Sequence, residues 1–481
     1  MENESRNKRD QIICMKQAKS YEINMCEGPI ISKLLLFAGP LMLSSMLQLL
    51  FNAADVIVVG RFAGDNSLAA VGSTSSLINL LVNFFMGLSI GTNVLVARYF
   101  GAGHNKHLSD TVHTSMAVSA ISGVILALVG FFFSPVILTW MQSPPEVLPL
   151  ASLYLKIYFL GMPASMIYNF GSAILRAVGD TKRPMLYLAL AGVVNVILNL
   201  FFVIVCHMDV AGVAIATVIS QIISAALVVR CLMKEQGPYR FELKKLAVSR
   251  DILGKIFGIG LPASFQGMLF SISNVIIQSS INSFGAIVVA GNSAAQNIEG
   301  FVYMGMNAFY QAAISFVGQN VGANKYDRIG KIAVRAEILV VLTGLIMGNA
   351  AYFFGNTLLS FYTTSQTVMD AGIVRLAYIC IPYFLCGMMD TMVGVLRGMG
   401  YAVMPMIVSL IGACGLRLVW IFTFFQMPRF HETKFLYITY PVSWAVTFAA
   451  HVVCYLVVKR KLDSRAGSED ILSIRDKKET I

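Results

Sequence analysis

The chain has 481 residues, 57% of them hydrophobic and only 13% charged, where a soluble domain is about a quarter charged. A mean hydropathy of +0.71 therefore excludes an ordinary soluble protein and points to lipid. A formal charge of +11 would suggest nucleic acid on a soluble protein, but its placement along this chain is an orientation signal instead.

Residues 1–30 are polar and contain no apolar segment of the kind found in a cleavable leader, so a cytoplasmic tail is expected there. A membrane helix needs about 20 mostly apolar residues. Twelve such spans follow, at 34–61, 67–97, 110–133, 147–175, 184–206, 210–230, 252–281, 286–317, 329–361, 368–396, 405–427 and 435–458. The fold class expected is an all-α integral membrane protein. Its N-terminal lobe covers 31–232 and its C-terminal lobe 252–460, with a charged linker at 233–251 and a second tail at 461–481. The N-terminal tail, the 2–3, 4–5, 6–7, 8–9 and 10–11 connections and the C-terminal tail hold 28 Lys and Arg. The alternate connections hold three, Arg61, Arg429 and Lys434. By the positive-inside rule both termini lie in the cytoplasm of a multi-pass plasma-membrane protein. Eight scattered cysteines, none in CxxC spacing, indicate neither a zinc site nor a disulfide framework.

The two halves repeat. At an offset of 219, Phe51 falls on Phe270, Val56–Ile57 on Val275–Ile276, Gly72 on Gly291 and Asn105–Lys106 on Asn324–Lys325; Lys156 falls on Arg375 and Pro163 on Pro382. Two residues further on, Leu175–Arg176 and Gly179 fall on Leu396–Arg397 and Gly400. Six spans per copy is an even number, so both copies enter from the same side and the repeat axis runs along the membrane normal. Two such lobes around a central cavity are the plan of an alternating-access transporter.

Charge inside a span is costly unless paired, hydrated or neutralised, and marks function by default. Span 1 carries Ser45, Gln48, Asn52 and Asp55 at helical spacing, a polar stripe that must face the bundle or water. Ser76, Asn79 and Asn83 of span 2, Asn195 and Asn199 of span 5, and Thr217, Gln221 and Ser224 of span 6 supply faces that converge with Asp55. Under the 219 offset the stripe maps to Ser264, Gly267, Ser271 and Asn274, so the second lobe keeps the polarity without the carboxylate. That lobe has Glu299 in span 8 and Asp390 in span 10 instead, with Arg375 and Arg417 as candidate partners. Each acid is either half of a structural ion pair or a coupling or substrate-binding group. Lys156 and Arg375 are expected to snorkel to an interface, and Arg176 and Arg397 to close their helices on the cytoplasmic side.

These residues resemble the multidrug and toxic compound extrusion (MATE) transporters, most closely a bacterial member. The resemblance covers about residues 30–460. It rests on GPLMLSSMLQLLFNAADVIVVGRFAG with its span-1 Asp, on ARYFGAGHNK and SFVGQNVGANK, and on LRAVGDTKRPM and LRGMGYAVMPM. It implies two six-helix lobes in a V that export amphipathic, often cationic compounds by antiport with H+ or Na+, with no other cofactor. Carried over residue by residue, the first-lobe ion site is Asp55, Asn195, Asn199 and Thr217, with Asn199 standing where many relatives have a carboxylate. Glu299 is the preferred second-lobe acid, and Asp390, Gln48, Asn52 and Asn274 are further substrate or coupling candidates. The expected partners are small drugs or toxic organic cations and the bilayer, with no nucleic acid, around a monomer.

Neutralising Asp55 would let span 1 pack differently against spans 5 and 6, and a cavity rich in Met, Phe and Tyr would suit varied substrates. The alternative from the same superfamily is a flippase for lipid or lipid-linked oligosaccharide. A major-facilitator carrier lacks support because the 2–3 connection reads RYFGAGHNKHLSD, and the six histidines form no catalytic pattern that would make the chain an enzyme.

Overall fold

The computed structural model describes residues 21–141 and 144–478, with the side chains of 65, 76, 79 and 463–478 left out. Among the described residues there are helices and turns and no strand. The crossings are span 1 (Ile30–Phe62), span 2 (Asp65–Gly101), span 3 (Asn105–Trp140), span 4 (Leu148–Leu160 with Met162–Ala177), span 5 (Lys182–Leu200) and span 6 (Asp209–Lys234). They continue with span 7 (Arg250–Asn282), span 8 (Ala286–Gly322), span 9 (Tyr326–Phe353), span 10 (Gln366–Ile379 with Phe384–Gly398), span 11 (Val403–Ser409 with Leu416–Phe422) and span 12 (Thr439–Lys478). Eight single helices and the two broken spans are long and apolar enough to cross a membrane; spans 8 and 9 complete the twelve.

The breaks repeat. Span 4 bends by 46° and span 10 by 48°. Pro163 opens the second half of span 4 and Pro382 lies in the break of span 10, and a proline there removes a ladder N–H and clashes with the preceding turn. A π-helical turn, Phe201–Val205, prolongs span 5, and another, Leu410–Gly415, joins the two halves of span 11.

The register of the repeat differs from the 219 offset. In spans 1 and 7 the internal prolines, Pro40 and Pro262, are 222 residues apart. The buried positions follow that spacing: Ile30 and Ile252, Leu34 and Ile256, Phe37 and Ile259, Leu41 and Ala263, Val59 and Ile281. The next connection shortens it by one. Gly64 and Gly285 enter spans 2 and 8 at φ 84° and 88°, and Gly179 and Gly400 leave spans 4 and 10 at 103° and 90°, conformations that only glycine adopts freely. Gly103 pairs with Asn324, both at positive φ, so Asn324 is not the counterpart of Asn105. Asp55 therefore corresponds to the buried Ile277, and Asn274 to Asn52.

Spans 2 and 8 meet on the pseudo-twofold axis. A Cβ on Gly101 would overlap the Gln319 carbonyl, one on Gly322 would overlap the Arg98 carbonyl, and one on Gly318 would lie 3.0 Å from the Ala97 methyl. Each contact is the image of the other under the 221-residue register. Gln319 Nε2 donates to the Ala177 carbonyl at 2.7 Å and Arg98 Nη2 to the Met399 carbonyl at 3.0 Å, so each central helix caps the end of span 4 or 10 in the opposite lobe.

Spans 1 and 7 are exchanged between lobes at this face, which also carries the basic connections and is called the basic face below. The first half of span 1, with Leu34 and Phe37, joins the second-lobe core, where Phe37 meets Phe316 edge-on at 5.5 Å; its second half, with Val58 and Val59, joins the first. Span 7 does the reverse, Ile252 and Ile256 packing on Val94 and Leu95 and Ile277 and Ile281 on the second lobe. Spans 2 and 8 stay in contact from Gly101 back to Asn93, whose Oδ1 accepts from Ser315 at 3.1 Å, and span 2 follows the exchanged half of span 7 as far as Phe84, whose carbonyl accepts from Ser264.

Candidate coupling site and cleft

Asp55 stands in the half of span 1 away from the basic face, seven residues before the helix end at Phe62, about 10 Å along the helix axis. Gly192 lets span 5 reach it: a Cβ there would run into the ring of Phe51, one turn from Asp55. One turn further along span 5 come Asn195 and Asn199, 4% and 0% exposed, on one face because they are four apart. Asn199 Nδ2 donates to Asp55 Oδ1 and, at 3.3 Å, to Asn195 Oδ1. Asn195 Nδ2 donates to Thr217 Oγ1 at 3.3 Å, whose own proton goes to the Val213 carbonyl at 2.9 Å. The chain Asp55, Asn199, Asn195, Thr217 is thus continuous from span 1 through span 5 to span 6. Asn199 Oδ1 is buried without a partner, an acceptor left open beside the carboxylate. Tyr154 and Tyr158, stacked 5.9 Å apart on span 4, lie near the Asp55 charge.

The rest of the span-1 stripe does not join this chain. Gln48 and Asn52 are exposed and Ser45 is half-buried, so they lie outside the lobe interior. Asn83 is exposed as well, Ser224 bonds back to the Gln221 carbonyl at 2.9 Å, and Ser76 and Asn79 lie outside the described side chains.

In the second lobe Glu299 is paired with Arg375. Its carboxylate takes two bonds from Arg375, Nε to Oε1 at 2.6 Å and Nη2 to Oε2 at 2.8 Å, and Arg375 Nη1 donates to Asn292 Oδ1 at 2.6 Å. The rings of Tyr437 and Tyr440 cover the guanidinium at 5.4 and 5.7 Å. Arg375 is 2% exposed, so it does not snorkel: a bidentate acid inside the lobe satisfies it more fully than an interface would. Arg417 donates to Ser443 at 2.8 Å and lies over Tyr440 at 4.2 Å, with Asp390 within reach of its charge. Arg397 is buried, donating to the Tyr310 hydroxyl and to Gln266 Oε1 at 2.9 Å. Asp390, two turns before Arg397 on span 10, is half-buried opposite Tyr303. Asn274 is exposed, apart from both acids.

Two features went unread in the sequence. Span 8 presents Ser293, Gln296, Asn297, Met304, Asn307 and Gln311 outside the lobe core, all exposed or half-buried; their 3.6-residue spacing was the available signal. In QNIEGF the amides and the acid therefore point different ways. Glu337 of span 9 has both carboxylate oxygens buried without a partner.

Comparison with known proteins agrees with this architecture. The MatE family model matches twice, at residues 40–201 and 262–423, 222 residues apart like the prolines. A probable multidrug resistance protein of Bacillus subtilis (strain 168), YoeA, is 27% identical over 89% of this chain and 93% of its own. The probable multidrug resistance protein NorM of Thermotoga maritima is 25% identical over 82% of this chain and 85% of its own. Among solved structures, a MATE in a bent conformation superposes with a TM-score of 0.83 at 21% identity, covering 92% of this chain and 98% of that one. An outward-facing MATE family multidrug resistance transporter gives 0.84 at 21%, covering 93% and 99%. At that identity these two likenesses speak for the fold alone. The twice-matched family model spans well over half the sequence and follows the duplicated lobes: the chain belongs to the MatE family.

Proposed function

We propose that this chain is a secondary active multidrug exporter that moves amphipathic, often cationic compounds out of the cell in exchange for H+ or Na+. The basic face is then cytoplasmic, a reading the Lys and Arg distribution supports. The observation that carries the reading is the hydrogen-bonded chain from Asp55 through Asn199 and Asn195 to Thr217, set where span 1 leaves one lobe core for the other. The relatives' names as multidrug resistance proteins support the substrate class.

A neutral Asp55 and a charged one pack differently. The charged carboxylate holds the Asn199 amide; a protonated one can donate to the open Asn199 Oδ1 after that amide rotates, and a bound Na+ would draw the same oxygen inward. Either cation changes which span-5 group span 1 is bonded to, and only such a difference in affinity between two states can drive the exchange. The cluster offers one carboxylate, two carboxamides and one hydroxyl, a low charge that favours the proton. The test is efflux of a fluorescent organic cation from liposomes under separately imposed H+ and Na+ gradients, for wild type and Asp55→Asn. Gradient-driven efflux that persists in Asp55→Asn would overturn the assignment. Movement of labelled lipid without dye would favour the flippase.

A further inference from the structure

Residues 21–28 lie outside every span, yet the segment is packed and bonded. Gly28, at φ 70°, and Pro29 turn it sharply into span 1, and Lys33 Nζ folds it back by donating to the Asn24 and Glu27 carbonyls at 2.6 and 2.7 Å. From there it crosses the basic face between the lobes. On the first-lobe side, Glu22 accepts from the Tyr239 hydroxyl, Arg183 stacks over the Tyr21 ring at 5.5 Å, and a Cβ on Gly179 would come 2.6 Å from the Ile23 carbonyl. The second lobe holds the other half. Asn320 Nδ2 donates to the Met25 carbonyl at 3.1 Å, Lys325 Nζ to the Cys26 carbonyl at 3.1 Å, and Arg328 Nη2 to the Gly28 carbonyl at 3.2 Å. Met25 is 0% exposed and belongs to the second-lobe core.

We infer that Tyr21–Gly28 is a latch that bolts the two lobes together on the basic face, and that it must let go of the second lobe each time the cleft opens there. The inference rests on the alternating-access reading above. Its physical basis is that one strand of backbone, with three carbonyls held by Asn320, Lys325 and Arg328, cannot stay bonded to both lobes once they part. On the first-lobe side Arg183 is itself fixed by Asp180 and Glu235. On the second-lobe side the Lys325 and Arg328 bonds lie at or near the surface and exchange with water at small cost, while the Asn320 bond and the Met25 side chain are buried and are the part that must be drawn out. Release of that half therefore follows separation, and its strength sets how often the basic face opens.

Cys26 sits in the latch and reports on it. Burial pushes its thiol up from the ordinary value, against the pull of Lys325 and Arg328, so alkylation is slow while the latch is closed. In the reconstituted full chain, N-ethylmaleimide modification of Cys26, read by peptide mass spectrometry, should run about fivefold faster in Asn320→Ala than in wild type, the effect of losing about one hydrogen bond to the Met25 carbonyl with no change of charge beside the thiol. An unchanged rate would overturn the latch. In Lys325→Cys, a cleavable bifunctional thiol reagent bridging position 325 to Cys26 should stop dye efflux, and cleaving the bridge should restore it. Efflux that continues with the bridge intact, or a bridge that never forms, would also overturn it. A wild type that moves no dye refutes the export reading instead, and the alkylation rates still decide the latch.

Discussion

Replacing Glu299 by Ala tests whether that acid is structural. Arg375 is 2% exposed and Glu299 6%, and the substitution removes bonds of 2.6 and 2.8 Å while Asn292 and the two tyrosine rings still hold the guanidinium in place. Stranding one member of a buried pair costs roughly 3–5 kcal/mol. For a lobe of this size that lowers the thermal midpoint by on the order of 10 °C. Glu299→Gln keeps one acceptor for Arg375 and should lose about half as much. Glu299→Met/Arg375→Met should recover most of the loss, because two apolar side chains of similar volume leave no charge to strand. The assay is thermal unfolding of the purified protein, with dye efflux measured on the folded fraction. A midpoint for Glu299→Ala within about 1 °C of wild type, or a double variant no more stable than the single one, would refute the argument. Normal stability in Glu299→Gln with efflux abolished would move Glu299 to the coupling machinery.

Gly192→Leu should push span 1 off span 5 through the Phe51 ring, costing about 1–3 kcal/mol by overpacking and abolishing gradient-driven efflux as Asp55→Asn does, with Phe51→Ala restoring part of it. Asn199→Asp puts a second carboxylate beside Asp55, so efflux should become stimulated by Na+ in the liposome assay; a Na+ response identical to wild type would count against the site. Asn297→Ala and Asn307→Ala on the span-8 stripe should change the relative efflux of substrates that differ in hydrogen-bonding groups while moving stability by less than about 0.5 kcal/mol. Glu337→Leu removes two buried, unpartnered oxygens and should raise the thermal midpoint by a few degrees.

The spans, the duplication and the Asp55 chain were legible because each leaves a local trace. Apolar runs of membrane length are a composition signal, and Asn195 with Asn199 stand out as amides at i and i+4. The polar faces of spans 5 and 6 point to a meeting with Asp55, but the family resemblance is what narrows it to Asn195, Asn199 and Thr217, since nothing in a sequence gives the side on which two helices touch. The repeat register was misread by three residues in span 1 for a related reason. Inside a membrane helix Phe, Val and Ile are interchangeable against lipid, so chance matches at 219 look as good as true ones. Proline and the phase of burial separate them, and the second becomes visible only after packing.

That correction alters the comparison between lobes. With Asp55 opposite Asn274, the second lobe appeared to hold a weakened copy of the same site. With Asp55 opposite Ile277, 1% exposed in the second-lobe core, it holds no copy at all. Asp390, half-buried opposite Tyr303, belongs to a different helix, and Glu299 is bound to Arg375. On the proposed coupling, a cation at Asp55 would therefore act in the first lobe only, on spans 1, 5 and 6. Span 1 runs from the first-lobe core into the second-lobe core at the basic face and then into the segment that crosses both lobes. A change in which group Asp55 bonds would then be carried along one helix to the place where the lobes are joined, and the asymmetry of charge would give the pseudo-symmetric fold a direction.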